Sequence, residues 1–150
     1  MTNLSRKSRY GLRAVWRLGR DYGRGPVTAA EIAESESIPR KFLEVILLQL
    51  QKAGVVDSWR GKNGGYRLAV PPARLTVGAI LRAIEGPQTL APCVSDTGPR
   101  QCPECPLLKP CETRAILLKM KAALGGVLDE TTIEDVNLRR DPHESFAYEI

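Results

Sequence analysis

The 150 residues are expected to fold as a mainly α-helical protein with a small β-hairpin wing: a winged helix-turn-helix followed by a long C-terminal dimerisation helix. Three features point there. Two short helical patterns meet in a tight connection at Ser35–Ile38. A glycine-rich basic turn, "RGKNGG", stands between two β-prone runs directly after them. An apolar stripe over 112–128 is wider than the remaining chain is able to cover. A chain of this length holds one domain with a proper core, or a small domain with an appendage.

The elements follow in order. Residues 5–22 form a first helix, capped by Ser5, with Tyr10, Leu12, Val15, Trp16 and Leu18 near helical spacing. "YGRGP" stops it. Thr28 opens a second helix through a capping box with Glu31, and Ala30, Ile32 and Ala33 supply its small apolar face. Pro39 suits the first turn of a third helix, where a missing N–H costs nothing. Phe42, Leu43, Ile46, Leu47 and Leu50 are its apolar stripe, and Gly54 its stop. Val55–Trp59 and Tyr66–Val70 make a hairpin, with Asn63-Gly64 as the turn signal. Thr76 caps a further helix that runs to about Glu85. The chain is expected to divide into a winged helix-turn-helix unit 1–86, a Cys/Pro-rich loop 87–111, a dimerisation helix and short terminal helix over 112–138, and a flexible tail 139–150. Thr131 and Glu134 are expected to form a capping box for the terminal helix. The long helix is expected to pack on the first helix and, through Ile116, Leu117, Met120, Leu124, Val127 and Leu128, on a second copy of the chain.

Charge is distributed unevenly. Residues 1–75 carry 14 Lys/Arg and 6 Asp/Glu, a net of +8; residues 76–150 carry 8 and 11, a net of −3. A basic first half favours a polyanion partner. The N-terminus is too charged for a signal peptide and no apolar run reaches the length of a membrane span, so a cytoplasmic protein with no membrane partner is expected. There is no nucleophile–base pair and no phosphate-cradling loop leading into a helix, so an enzyme is not expected.

A helix-turn-helix places the first turns of its second helix against base edges in the major groove. Those positions are Pro39, Arg40, Lys41 and Glu44. Arg40 and Lys41 suit phosphates or guanine edges, and Glu44 is able to accept from a cytosine amine. Arg60 and Lys62 sit at the wing tip; Arg6, Lys7 and Arg9 at the start of the first helix suit phosphates; Thr28 joins the same DNA-facing set. The expected partner is double-stranded DNA. The competing reading, a protein-interaction domain with solubilising charges, leaves the basic wing without a role.

All four cysteines fall in one proline-rich stretch, "CVSDTGPRQCPECPLLKPC", as Cys93-x8-Cys102-x2-Cys105-x5-Cys111. In a reducing compartment structural disulfides are disfavoured. Three uses remain open. Four thiolates in a short loop suit an iron–sulfur cluster. They also suit zinc, although zinc knuckles usually carry two Cys-x2-Cys pairs and only one is present. Cys102 and Cys105 are further able to pair as a thiol–disulfide switch.

"SRKSRYGLRAV", "TAAEIAE", "IPRKFLEVILLQLQKAGVVDSWRGKNGGYRLA" and "LTVGAILRAIEGP" closely resemble the Rrf-two family of bacterial winged-helix transcriptional regulators. The likeness resumes through "CETRAILLKMKAAL" and "TTIEDV". It implies a homodimer on a pseudo-palindromic operator, with long C-terminal helices crossed between subunits and DNA contacts at Lys41, Glu44 and Arg60. Cluster-binding members carry three loop cysteines, to which Cys93, Cys105 and Cys111 correspond. Their non-cysteine fourth ligand has no counterpart here: the matching positions hold Arg114 and Ser8-Arg9. The resemblance implies an iron–sulfur cluster; where this chain departs from the family, Cys102 is expected to supply the missing ligand, [4Fe–4S] is favoured over [2Fe–2S], and zinc stays as the alternative cofactor. Two other functions compete: an electron-transfer protein whose cluster is the working part, and an adaptor of iron–sulfur assembly. Neither accounts for the recognition helix.

Overall fold

A computed structural model describes residues 4–87, 89–98, 100–102, 105 and 111–138. The expected tail 139–150, with His143, lies outside the described residues. Six α-helices and one two-stranded antiparallel sheet make up the described chain: α1 (Arg6–Arg20), α2 (Ala29–Ser35), α3 (Arg40–Lys52), β1 (Val56–Trp59), β2 (Gly65–Leu68), α4 (Val77–Glu85), α5 (Glu112–Glu130) and α6 (Ile133–Leu138). Short 3-10 turns at Pro72–Arg74 and Pro92–Val94 complete it. The arrangement is a winged helix-turn-helix with a long C-terminal helix. No helix among the described residues is long and apolar enough to cross a membrane.

Local chemistry sets the boundaries. Ser5 caps α1 by accepting from the Ser8 amide. Thr28 and Glu31 form the reciprocal box at α2: the Glu31 amide donates to Thr28 Oγ1 at 3.2 Å, and Glu31 Oε2 accepts from the Thr28 amide at 2.8 Å. Pro39 occupies the cap position of α3 rather than its first turn, and Gly54, at φ 72°, ends the segment in the left-handed region. Thr76 caps α4 through the Ala79 amide at 3.2 Å.

One core joins these pieces. Leu12, Val15 and Leu18 of α1, Ile32 of α2, Leu43, Ile46, Leu47 and Leu50 of α3, and Ile80 and Ile84 of α4 are buried together, with Val56 and Leu68 from the hairpin. Gly11 makes the α1–α4 approach close: a Cβ there would collide with the Ile84 side chain. The hairpin pairs Val56 with Leu68 and Trp59 with Gly65. Gly65, at φ 156°, passes so near the Val27 carbonyl that a Cβ would meet it at 2.6 Å. Val27 and Tyr66 exchange backbone hydrogen bonds at 2.8 and 2.7 Å, which pins the start of α2 to the wing.

Several expectations need correction. The strands are shorter than expected, so that five residues, 60–64, separate them, and the Gly64 amide closes on the Gly61 carbonyl at 3.0 Å around Lys62-Asn63. Ala30 is exposed, and Ala29 takes its place against the core beside Ala33. Phe42 is largely exposed and stacks edge-on against Tyr10 at 5.7 Å instead of entering the core. The last capping box is one residue later than expected: Thr132 and Asp135, not Thr131 and Glu134, exchange bonds at 2.9 and 3.1 Å. The C-terminal element that packs chiefly on α1 is α6, whereas α5 packs on α4 and on the 3-10 turn at Pro92–Val94. Ile133 of α6 is fully buried in the core and explains that return.

Candidate DNA interface and cysteine centre

The helix-turn-helix presents the N-terminal turns of α3 outward because the opposite face, Leu43, Ile46, Leu47 and Leu50, is wholly committed to the core. Pro39, Arg40, Lys41 and Glu44 are all exposed. Arg40 Nε lies 3.1 Å from Glu44 Oε1, an i,i+4 pair that offsets the one acidic charge on this face. Arg60 and Lys62 are exposed on the hairpin loop, and Arg6 and Arg9 at the start of α1. Lys7 is half-buried and donates to the Ile84 carbonyl at 3.3 Å, so it closes the end of α4. The Thr28 hydroxyl donates to Glu31 at 2.6 Å within its box. That hydrogen bond, followed by the Thr28 amide and the Arg17 charge, holds the Glu31 carboxyl below its ordinary 4.5.

Two features of this surface escaped sequence reasoning. Val45 and Leu48, on the outward face of α3, are 61% and 51% exposed. The expected apolar stripe of α3 leaves both residues out and gives them no role. Trp59 is also exposed, with the Arg67 guanidinium 4.4 Å from the ring centroid. Asp57 lies 3.9 Å from Arg67 on the neighbouring strand. Trp59 thus forms a cation–π stack beside the wing tip.

The second site lies where α4 ends and α5 begins. Glu85 accepts from the Ser8 hydroxyl at 2.7 Å and from the Ser5 hydroxyl. The Ser5 bond, then the Ser8 bond, lowers its carboxyl from the ordinary 4.5, with Lys7 adding to the effect. Gln49 donates to the Ala83 and Ile84 carbonyls at 3.1 and 2.8 Å. The end of α4 is therefore fastened to both α1 and α3. Ser8 is fully buried in that junction, so its hydroxyl is spent on Glu85.

Beyond Gly86 the cysteine segment doubles back. The Arg100 amide donates to the Pro92 carbonyl at 3.0 Å, and the Cys105 amide to the Cys102 carbonyl at 3.0 Å. Gln101 Nε2 donates to the Cys105 carbonyl at 2.8 Å. Val94, buried against α5, anchors the first limb. Cys111 is the N-cap of α5 and accepts from the Arg114 amide at 3.4 Å. Arg114 Nε donates to the Cys93 carbonyl at 3.2 Å, and Lys121 Nζ to the Val94 carbonyl at 2.8 Å and to Asp96. One face of α5 is thus clasped to the first cysteine.

The four cysteines are free thiols that influence one another. A hydrogen bond with Cys102 pushes the Cys93 thiol up, with desolvation and the Cys102 charge adding to it. Desolvation comes first for Cys105, followed by Cys102, Cys111 and Cys93. Cys105 therefore feels all three other sulfurs. Among the described residues, however, no three Cys, His, Asp or Glu side chains form a group that would hold a metal ion as it stands. Electrostatic reach is longer than a ligand bond, so the thiols are neighbours rather than a gathered ligand set. Their chemistry, four soft sulfurs with one Cys-x2-Cys pair, fits zinc or an iron–sulfur group once the loop draws in.

α5 buries none of its residues. Ile116, Met120, Leu124 and Val127 are exposed, as is Leu118, which the expected stripe did not include. Leu117 and Leu128 are half-buried, and Leu128 packs on the chain's own core. At its far end α5 is held by Arg82, which bonds Asp129 at 2.7 Å, and by the Val77 amide, which donates to the Thr131 carbonyl at 3.0 Å.

Comparison with known proteins agrees with this arrangement. The Rrf2 family, described as "Iron-dependent Transcriptional regulator", matches residues 4–138. The transcriptional regulator CymR of Bacillus subtilis is 33% identical over 133 residues, 89% of this chain and 88% of the relative. The regulator NsrR of Geobacillus kaustophilus is 33% identical over 133 residues, with the same shares of the two chains. Among solved structures, B. subtilis CymR, described as the global cysteine regulator, superposes with a TM-score of 0.79 at 33% identity, covering 94% of this chain and all of that one. T. potens IscR gives 0.75 at 30% identity, covering 95% and 91%. These relatives are regulators, not enzymes, and the chain belongs to the Rrf2 family of transcriptional regulators.

Proposed function

We propose that the protein is a cytoplasmic homodimer that binds a pseudo-palindromic operator and senses redox, nitric oxide or iron–sulfur status through its cysteine loop. One observation carries the sensing half: the carbonyl of Cys93 is bonded by Arg114 of the very helix that Cys111 caps, so both ends of the cysteine segment meet at α5. Cys93, Cys102, Cys105 and Cys111 are the residues that would hold an iron–sulfur cluster, [4Fe–4S] before [2Fe–2S]. Bound there, such a cluster would supply a centre that reacts with oxygen or nitric oxide. Ser8 and Arg114 being engaged elsewhere favours Cys102 as the fourth ligand.

The chain's own residues carry the signal. Arg114 and Lys121 tie the loop's first limb to α5, and Arg82 ties α5 to α4, next to the helix-turn-helix. The exposed row Ile116, Met120, Leu124 and Val127 supports a second copy packed along α5. Reordering of the loop would then move α5 against its partner and change the spacing of the two α3 helices. Paired half-sites one helical turn apart tolerate little change in that spacing. The thiol-switch reading also has support, since the Cys105 amide donates to the Cys102 carbonyl at 3.0 Å and the CymR likeness covers 94% of the chain.

Anaerobic purification with iron and sulfide analysis and a visible spectrum tests the proposal. Iron and sulfide in matching amounts, with a coloured protein that bleaches in air or nitric oxide, is expected. A colourless protein with stoichiometric zinc would overturn the cluster, and a metal-free protein whose DNA affinity follows a Cys102 disulfide would establish the switch.

A further inference from the structure

The outward face of α3 carries a feature that phosphate binding does not use. Val45 lies four residues after Lys41 and three before Leu48, and Glu44 lies three after Lys41 and four before Leu48, so the four side chains share one broad face of α3. Val45 is 61% exposed between the charged pair and Leu48. A solvent-facing helical position gains nothing from valine: its β-branch restricts χ1 in a helix, and its methyls meet water. A straight-chain polar residue would serve both needs better. With Leu48 beside it, Val45 offers an apolar spot on this basic face for a contact outside the subunit.

The surroundings say which contact. Lys41 and Arg40 stand one turn before Val45, and the loop lysine and arginine of the wing, Lys62 and Arg60, are exposed on the same unit. Charged residues are depleted at the centre of protein–protein interfaces, whereas they surround the base-reading residues of a DNA-binding helix. Four residues at 1.5 Å rise put Val45 about 6 Å beyond Lys41, within the turns that meet base edges. Only one group in the major groove is apolar, the C5-methyl of thymine. Glu44, adjacent in sequence, is an acceptor suited to the cytosine amine, and Arg40 offsets its charge against the phosphates.

Resting on the DNA-binding reading above, we infer that Val45 is a specificity-determining residue that packs on the methyl of a thymine next to the base pair read by Glu44. Each half-site then contains neighbouring pyrimidines on one strand.

The full-length dimer is used to select an operator from random duplexes, and each thymine of the selected site is replaced in turn by uracil, which removes only the methyl. For the wild type, one symmetric thymine pair should prove sensitive, with about fourfold weaker binding for one half-site and about fifteenfold for both. Val45→Ala, which leaves the core untouched, should bind the thymine and uracil duplexes alike. Equal uracil sensitivity in Val45→Ala, or none at any thymine in the wild type, overturns the inference. So does a Val45→Ala protein that sediments as a monomer with its sequence preference unchanged, because the contact would then be to a second copy. A wild type with no preferred sequence would instead sink the DNA-binding reading itself, and this inference with it.

Discussion

Arg114 shows how much one side chain contributes to the account. Its amide caps toward Cys111 and its guanidinium reaches the Cys93 carbonyl, so a single residue joins both ends of the cysteine segment. Nothing in the sequence marks it as more than a helix-surface arginine, because its partner is a backbone atom 21 residues away. The four thiols were legible from spacing alone; the clasp was not. Cys102, the thiol with no counterpart among the family's three loop cysteines, pushes the thiols of Cys93 and Cys105 up. Cys102→Ala is expected to lose iron and regulation while its circular dichroism and urea midpoint stay within about 0.5 kcal/mol of the apo protein. Retention of the full iron content would remove Cys102 from the ligand set.

At the scale of elements, end signals were legible wherever a side chain caps its own backbone. Ser5, Thr28 and Thr76 all stand where the sequence puts them. Which face of an element is covered was less legible, because it depends on neighbours distant in sequence. Phe42 and Ala30 fit a helical period but face outward, and Val45 and Leu48 are left exposed on α3. The terminal box slipped by one residue for a similar reason: Thr131 and Thr132 are equivalent by type, and the bonds of residues 131 and 133 to Val77 and Leu75 select Thr132 as the cap. α5 was legible as an element with an unmet apolar stripe, and the exposure of Ile116, Met120, Leu124 and Val127 along it sharpens the expectation of a partner helix. Leu124→Glu should weaken self-association by about thirtyfold or more, read by sedimentation, while leaving the subunit folded. An unchanged dimer would move the interface off α5.

Across the whole molecule, two capping and junction carboxylates link stability to pH. Glu31 and Glu85 are both held below the ordinary 4.5 by hydrogen bonds that exist only in the folded chain. A depressed folded value means the unfolded chain binds the proton first as pH falls. Their contribution is therefore complete above 4.5 and lost as pH drops through their folded values below it. Urea midpoints should be flat from about pH 7 to pH 5 and fall below about pH 4.5. Glu85→Gln should flatten part of that fall, and because Glu85 fastens α4 to α1 beside the cysteine loop, the acid transition should also loosen that junction.

The central claim is that loop chemistry sets operator affinity through the spacing of paired α3 helices. It is tested most directly by titrating the anaerobically purified dimer against its selected palindromic duplex, before and after exposure to air or nitric oxide, at several salt concentrations. The account predicts sequence-preferring, salt-sensitive binding whose affinity differs by about tenfold or more between the two states, a difference removed by Cys93→Ala, Cys105→Ala or Cys111→Ala. Binding with no preference among duplexes, or with one affinity in both states, would contradict it.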